Sequence, residues 1–299
     1  MLETTWFVLW GLLWAVYFVL DGFDFGMGTL LPFLAKNDEE KRIIYNAAGP
    51  YWDGNEVWLI TAGGVTFAAF PKAYAVMFSA LYAPLLILLF ALIFRAVSFE
   101  FRNKKDCPQW RKFWDACQFL GNFLPALLLG VAFANLFMGI PIDGNGVYHG
   151  NIIKLLNPYG LAGGIFFVLI FCMHGALWLA LKSEGDIHER AVGAAQVVWP
   201  LVLAVALLFL ALTAFYTNLY ANYAEHPTLL VFPILAVASL LTVRVMIWAD
   251  NLLGAWFFSA LFIITVRSEE HTSELQSPSS ACSACIPASS SPASIPRTA

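Results

Sequence analysis

Charge is scarce in this chain of 299 residues: charged side chains make up 12% of it, hydrophobic ones make up 60%, and the mean hydropathy is +0.72. A typical soluble domain is about 25% charged. Apolar runs long enough to cross about 30 Å of hydrocarbon, roughly 20 residues as helix, recur along the sequence. The shortage of charge excludes an ordinary soluble domain and predicts an all-α, polytopic transmembrane helix bundle.

A basic segment before the first apolar run is also missing, and the acidic Glu3 stands there instead. A secretory signal peptide carries a positively charged region ahead of its apolar core. The sequence therefore predicts no cleavable signal peptide.

Cysteine is too scattered to form a disulfide framework. Cys107 and Cys117 flank a loop, and Cys172 lies inside an apolar run. Cys282 and Cys285 form a CxxC, a spacing that metal and redox pairs use. We do not interpret this pair as a site, because the C-terminal segment that contains it has the composition of a disordered tail.

That segment, residues 267–299, is rich in Ser, Pro, Ala and Cys and has no apolar periodicity. Residues 267–277 resemble the translation of a common sequencing-library adapter. We therefore divide the chain into a transmembrane domain, 1–266, and a non-native disordered tail, 267–299. A genuine disordered tail is the alternative.

Histidine is sparse as well. His149, His188 and His226 fall in predicted loops, His271 lies in the tail, and only His174 lies in an apolar span. One intramembrane histidine cannot provide bis-histidine ligation of a haem. We predict that His174 is a hydrogen-bonded interior group, and that this chain binds neither haem nor a metal ion.

The apolar runs predict about eight spans, of which the last is incomplete. They cover residues 6–31, 55–70, 74–94, 117–140, 159–181, 197–219, 229–248 and 252–266.

Basic residues are distributed unevenly between the loops. The loops after the odd-numbered spans carry three, six, two and one, whereas those after the even-numbered spans carry one, one and none. Lys and Arg accumulate in cytoplasmic loops. Twelve against two predicts that the odd-numbered loops are cytoplasmic and that the amino terminus is periplasmic.

Four carboxylates fall at the predicted cytoplasmic ends of the first two spans. Asp21 and Asp24 lie in the second half of span one, and Asp53 and Glu56 lie where span two begins. Each pair is three residues apart, so on a helix its members share a face. Ionisable groups inside a membrane are expensive and mark functional sites. We predict that these four groups gather to take up protons, or to bind cations, from the cytoplasm.

The same residues carry a family resemblance. Residues 21–28, Asp-Gly-Phe-Asp-Phe-Gly-Met-Gly, and 50–59, Pro-Tyr-Trp-Asp-Gly-Asn-Glu-Val-Trp-Leu, resemble subunit II of the cytochrome bd-type ubiquinol oxidases. Further similar stretches are 94–102, 130–135 (Gly-Val-Ala-Phe-Ala-Asn) and 155–160 (Leu-Leu-Asn-Pro-Tyr-Gly). The resemblance covers about residues 5–266 in order. The family continues past the eighth span, so the resemblance implies a chain truncated at its C-terminus.

The resemblance implies a haem-free subunit of a quinol:O2 oxidoreductase in the bacterial inner membrane, not catalytic alone. The family's haem b and haem d, and its quinol site, belong to a partner, subunit I, with which this chain would form a heterodimer. A small accessory subunit and the lipid bilayer are further expected partners, and nucleic acid is not.

Residue roles follow from the same resemblance. Asp53, Asp24, Asp21 and Glu56 would form a proton pathway towards the haem subunit, and Arg95 is a candidate charge partner of Asp24. Trp58 and Trp52 would line an oxygen route or pack against subunit I. The glycines 22, 26 and 28 suit a close helix approach.

Each role has a simpler alternative. Asp53 could be a helix N-cap, Arg95 an interfacial anchor, the two tryptophans part of an aromatic belt, and Asp21 and Glu56 solvated loop ends. For the whole chain, the alternative function is a secondary transporter or ion channel that uses the same carboxylates. We find no internal repeat of the Gly-Asp stretch, although transporters often contain such repeats.

Overall fold

In a computed structural model, residues 2–139, 150, 152–217, 220, 223 and 227–275 are described, with the backbone alone at residues 3 and 267–275. Outside these residues lie His149, His226, Cys282 and Cys285, together with the side chain of His271. Every regular element in the described ranges is helical.

Eleven α-helices and one 3₁₀ turn (Pro227–Leu230) make up the described structure. The helices are α1 (Leu2–Leu34), α2 (Asp38–Ala48), α3 (Trp52–Ala69), α4 (Pro71–Ala80), α5 (Tyr82–Phe101), α6 (Pro108–Met138), α7 (Ile152–Leu155), α8 (Pro158–Lys182), α9 (Gly185–Tyr216), α10 (Val231–Trp248) and α11 (Leu252–Leu275).

The predicted all-α membrane bundle is confirmed. Six helical segments among the described residues are long and apolar enough to cross a membrane: 4–34, 82–101, 108–138, 158–182, 185–216 and 227–248. Helix α3 and the shorter apolar segment Leu252–Val266 correspond to the second and eighth predicted spans. The predicted orientation of the amino terminus stays a prediction.

The third predicted span, 74–94, is wrong at its start, because the helix is interrupted at Leu81. Pro84 lies four residues after Ala80, and a proline ring clashes with the carbonyl of the residue four positions earlier. Helix α4 therefore ends at Ala80, and α5 begins at Tyr82 and runs on to Phe101.

Helix α1 lies at the centre of the bundle, packed against α3, α6, α8 and α11. Its crossing with α8 is close, because a Cβ atom on Gly26 would lie 1.8 Å from the carbonyl oxygen of Phe171. On the facing side, a Cβ on Gly175 would lie 2.5 Å from the backbone nitrogen of Met27. Small residues at such crossings let two backbones approach within the membrane. The predicted role of Gly26 in close helix packing is confirmed.

Helix α2 lies across the ends of several spans and is held there by ion pairs. Asp115 on α6 accepts from Lys41 Nζ at 2.8 Å and from Arg102 Nε at 2.6 Å. Arg102 also contacts Asp38 at 2.6 Å, and Arg190 on α9 contacts Glu40 at 2.7 Å. This ionic network fixes the short connection between α1 and α3, so that the two helices lie side by side.

Helix α11 continues to Leu275, into the segment predicted to be a disordered tail. Residues 276–299 lie outside the described part of the chain. The non-native origin of residues 267–299 stays a prediction.

Candidate functional site

The site is built around Arg95, which is fully buried on α5. Its Nη2 atom lies 2.6 Å from Glu56 Oε1 on α3 and 2.8 Å from Asp21 Oδ1 on α1. Nε also donates to Glu56 Oε1, at 3.2 Å. The aromatic ring of Phe25 covers the guanidinium, with 4.7 Å between the Cζ atom and the ring centroid. One cation thus joins α1, α3 and α5.

The position of Arg95 removes one alternative. A residue that anchors a span at the membrane surface extends its charged end into water. Arg95 is 0% exposed and ion-paired, so it is an interior charge and not an interfacial anchor. Arg95 was predicted as a charge partner of Asp24, but its ion pairs are with Asp21 and Glu56.

Asp24 lies one turn further along α1 and has a different partner. Its Oδ2 atom accepts a hydrogen bond from Asn55 Nδ2 at 2.8 Å, and the same nitrogen donates to the Leu20 carbonyl at 3.0 Å. Asp24 is 3% exposed, and no ion pair joins it to any residue in the described ranges. We call Asp21, Asp24, Asn55, Glu56 and Arg95 together the Arg95 cluster.

Two buried atoms of this site, Asp24 Oδ1 and Arg95 Nη1, lack a hydrogen-bond partner among the described residues. Tyr17, one turn before Asp21 on α1, places its hydroxyl group against the Asp21 carboxylate. The 2.8 Å contact between Arg95 and Asp21 is an ion pair without hydrogen-bond geometry. Buried polar atoms are normally paired, so an unpaired one requires an explanation, such as strain, a functional role or a bound water.

Asp53 does not join the cluster, contrary to the prediction that four carboxylates gather. It is exposed in the first turn of α3, and no hydrogen bond or ion pair joins it to the described part of the chain. The N-cap alternative is also wrong in position, because Tyr51 precedes the helix and makes no capping hydrogen bond with its side chain. The rotation of α3 about its axis explains the difference: it buries Asn55 and turns Glu56 towards Arg95, and it leaves Asp53 at the exposed edge of the same face.

The two tryptophans of α3 make different contacts. Trp52 stacks on Phe99 of α5, with ring centroids 5.1 Å apart and planes at 4°. Trp58 is half-buried and packs against the hydrophobic core. Their assignment to an oxygen route or a subunit contact stays a prediction.

Two members of the site were not identified from sequence. Asn55 lies between Asp53 and Glu56 in a stretch already singled out, but its amide side chain does not ionise, so it was not chosen as a candidate. Tyr17 lies four residues before Asp21, on the same face of α1, and a search for polar groups at helical spacing would have found it.

His174 is a hydrogen-bonded interior group, as predicted. Its Nδ1 lies 2.6 Å from Ser259 Oγ on α11, and its Nε2 lies 3.1 Å from the Val19 carbonyl on α1. The imidazole stacks on Trp256, with ring centroids 5.2 Å apart. Both ring nitrogens have protein partners, so this histidine connects three helices.

Among the described residues, no group of three or more histidine, cysteine, aspartate or glutamate side chains has the geometry to hold a metal ion. The Arg95 cluster is occupied by its own cation, the guanidinium. The site thus places three carboxyl groups near one fixed positive charge.

Comparison with known proteins assigns the chain to a family. Residues 2–268 match the family described as cytochrome bd terminal oxidase subunit II. The chain is 42% identical over 224 residues to cytochrome bd ubiquinol oxidase subunit 2 of Bacillus subtilis, covering 75% of this chain and 66% of that protein. It is 44% identical over 200 residues to cytochrome bd-I ubiquinol oxidase subunit 2 of Escherichia coli, covering 66% of this chain and 53% of that protein.

The fold has a solved counterpart. A chain of the bd oxidase from Geobacillus thermodenitrificans aligns with a TM-score of 0.75 at 18% identity, covering 93% of this chain and 85% of that one. The chain spans about half to two thirds of the length of the first two relatives. The sequence match over residues 2–268, which contains the whole Arg95 cluster, shows that this chain belongs to the cytochrome bd terminal oxidase subunit II family.

Proposed function

We propose that this chain is the haem-free subunit II of a bd-type quinol:O2 oxidoreductase, and that it supplies cytoplasmic protons to a haem-bearing subunit I, where O2 is reduced to water. The observation that supports this most is the burial of two carboxyl groups, Asp21 and Asp24, behind a third, Glu56, which is still partly accessible.

Exposure falls steadily along these groups. Asp53 is exposed, the side chain of Glu56 is 22% exposed, and Asp24 and Asp21 are 3% and 0% exposed. Glu56 and Asp21 contact the same Nη2 atom of Arg95. A series of carboxyl groups that leads from an accessible position into the membrane interior is typical of a proton relay. Asp53 would receive the proton, and Glu56, Asp24 and Asp21 would carry it inwards.

The position of Asp53 also supports a protein partner. It lies on the outward face of α3, together with the exposed Val57 and Ile60. A carboxylate that faces hydrocarbon is expensive, whereas a partner subunit can hydrogen-bond to it. This face of α3, with Trp52 and Trp58 beside it, is therefore the proposed contact with subunit I.

In this proposal the haem b, the haem d and the quinol site belong to subunit I, so this chain is not catalytic alone. Lipid covers the remaining apolar surface, and a small accessory subunit completes the complex. The complex lies in the bacterial inner membrane with the amino terminus of this chain periplasmic, so the basic loops and the ionic network around α2 face the cytoplasm.

Substitution of Asp53 tests the proton role. We expect Asp53→Asn to lower quinol-oxidase turnover per haem more than it lowers the haem content of the complex purified through this chain. Asp186→Asn is the matched control, because Asp186 is also an exposed aspartate in the first turn of a helix, α9. An unchanged turnover per haem in Asp53→Asn would remove the proton role and leave a structural one.

The same preparation separates the transporter or channel alternative from the oxidase. Copurification of a haem-bearing partner, with the absorption bands of haem b and haem d, supports the oxidase subunit. A haem-free preparation that transports ions would overturn it.

A further inference from the structure

We propose that Asp24 is the member of the Arg95 cluster that carries a proton at rest, bound to its Oδ1 atom, and that Asn55 is the positioning residue that determines which of the two oxygens carries it. Asp21 and Glu56 then remain ionised against Arg95. This deepens the proposed function, because it identifies the group that stores the transferable proton.

The charges of the cluster do not balance if every carboxyl group is ionised. Three carboxyl groups, Asp21, Asp24 and Glu56, surround a single guanidinium. A buried charge without a partner is far more expensive than a buried neutral acid, so an excess carboxylate in such a place takes up a proton. At least one of the three groups is therefore neutral at rest.

Geometry identifies the neutral group. Asp21 and Glu56 each place a carboxylate oxygen within 2.8 Å of Arg95 Nη2, whereas no ion pair joins Asp24 to a described residue. The titratable groups that act on Asp24 are Asp21 from its own helix, Glu56 from α3 and Arg95 from α5. Two of these three are negative when ionised. Of the three carboxyl groups, Asp24 is thus the one whose negative charge is stabilised least.

Asn55 determines which oxygen of Asp24 carries the proton. The Leu20 carbonyl can only accept, so the Asn55 amide must turn its nitrogen towards it, and the same nitrogen donates to Asp24 Oδ2. Oδ2 is thereby fixed as the carbonyl-like acceptor of the acid. Oδ1 is buried and has no partner among the described residues, so it carries the hydroxyl proton.

The proposal can be tested by infrared spectroscopy without any turnover. A neutral carboxylic acid has a C=O stretching band that a carboxylate lacks, and ¹³C labelling of aspartate carboxyl carbons moves this band for aspartate but not for glutamate. In the labelled complex purified through this chain at neutral pH, we expect such a band in the wild type. It should disappear in Asp24→Asn and persist in Asp21→Asn and in Asp53→Asn.

Asn55→Leu provides a second readout. It removes the hydrogen bond to Oδ2, so the C=O bond of Asp24 strengthens and its band moves to higher wavenumber without being lost. A purely structural role of Asn55 would change the yield of the complex and leave the frequency of the band unmoved.

Absence of a labelled band in the wild type, its persistence in Asp24→Asn, or an unmoved band in Asn55→Leu would each overturn the proposal. If the Asp24→Asn complex fails to assemble, the spectra of the wild type and of Asn55→Leu still test the proposal. A failure here leaves the Asp53→Asn turnover test intact, because that test does not depend on which carboxyl group is neutral.

Discussion

Arg95 Nη2 lies 2.8 Å from Asp21 Oδ1 with both side chains 0% exposed, so this ion pair between α5 and α1 is entirely removed from water. Removing two charges from water is expensive, and their attraction offsets this only when the geometry is favourable. The second carboxylate on Arg95, Glu56, and the ring of Phe25 complete the surroundings of the cation. The buried Arg95 cation is therefore stabilised by Asp21, Glu56 and the Phe25 ring together.

Loss of the Arg95 side chain should destabilise the fold more than loss of a cationic side chain on the surface. In Arg95→Leu, the buried Asp21 and the partly buried Glu56 lose their counter-ion. Breaking a buried pair on one side costs about 3–5 kcal/mol, so we expect little assembled complex and a markedly lower thermal unfolding midpoint in detergent. Arg95→Lys should recover only part of the loss, because lysine keeps the charge but not the planar fork that contacts two partners.

Arg111→Leu is the control for this prediction. Arg111 pairs with Asp38 at 3.2 Å and with the 94% exposed Asp106 at 2.6 Å. Exposed pairs contribute about 0–1 kcal/mol, so the midpoint should change little. Equal losses in Arg95→Leu and Arg111→Leu would contradict the special position of the Arg95 cluster.

The crossing of α1 and α8 predicts a severe effect from a single methyl group. A Cβ on Gly26 would lie 1.8 Å from a backbone oxygen, which cannot move aside as a flexible side chain could. We expect Gly26→Ala to force the two helices apart at a cost of at least about 1–3 kcal/mol, measured as yield and thermal midpoint. Gly193→Ala on α9 is the matched control, because nothing lies within 4 Å of its added Cβ. It should be neutral or slightly stabilising.

The ionic network around α2 predicts a dependence on acid pH. Burial alone would raise the pKa of Asp38, but the hydrogen bond and charge of Arg102, with the charges of Arg111 and Lys41, outweigh it and lower the pKa. A carboxyl group with a lowered folded-state pKa stabilises the fold fully above its unfolded pKa of about 3.9. That stabilisation is lost as the pH falls through the folded-state value.

The thermal midpoints of the wild type and Asp38→Asn, measured against pH, should therefore differ at neutral pH and converge in strong acid. Because the Asp38 side chain is 44% exposed, we expect a difference of less than about 1 kcal/mol, which decreases in high salt. A difference that grew as the pH fell would contradict this account.

The helices of this chain were predictable from sequence because most spans are single apolar runs of the required length. The interruption at Leu81 was not predicted, because the apolar run continues through it and only Pro84 indicates a break. The extension of the helices into the polar segments at their ends was also underestimated. Helix α6 begins at Pro108, inside the predicted basic loop, since charged residues at a span's end extend the helix beyond the hydrocarbon.

The carboxylates were found from sequence because charge inside an apolar run is conspicuous. Their pairing was not, because it depends on how three helices are rotated about their axes. Spacing alone places Asp53 and Glu56 on one face, yet the rotation of α3 turns Glu56 towards Arg95 and leaves Asp53 outside. Asn55 and Tyr17 carry no charge at neutral pH, so only their positions in the fold show that they belong to the site.

Glu56 occupies the step between the accessible and the buried groups, which gives the last prediction. Glu56→Gln keeps the shape of the side chain and an oxygen for Arg95, but it cannot take up a proton. Asp21 still pairs with Arg95, so assembly and haem content should be retained. Loss of a group that transfers protons typically costs a hundredfold or more, and since water could partly replace Glu56, we expect turnover per haem to fall at least about tenfold.

Glu100→Gln is the control, because Glu100 is an exposed glutamate near the end of α5. It should leave turnover per haem unchanged. If Glu56→Gln also leaves turnover unchanged while the complex keeps its haem, then Glu56 serves only as a counter-ion of Arg95, and protons would have to reach Asp21 by another route. If haem is lost in proportion to turnover, its role is in assembly. A fall in turnover with haem retained is the one result that places Glu56 on the path of the proton.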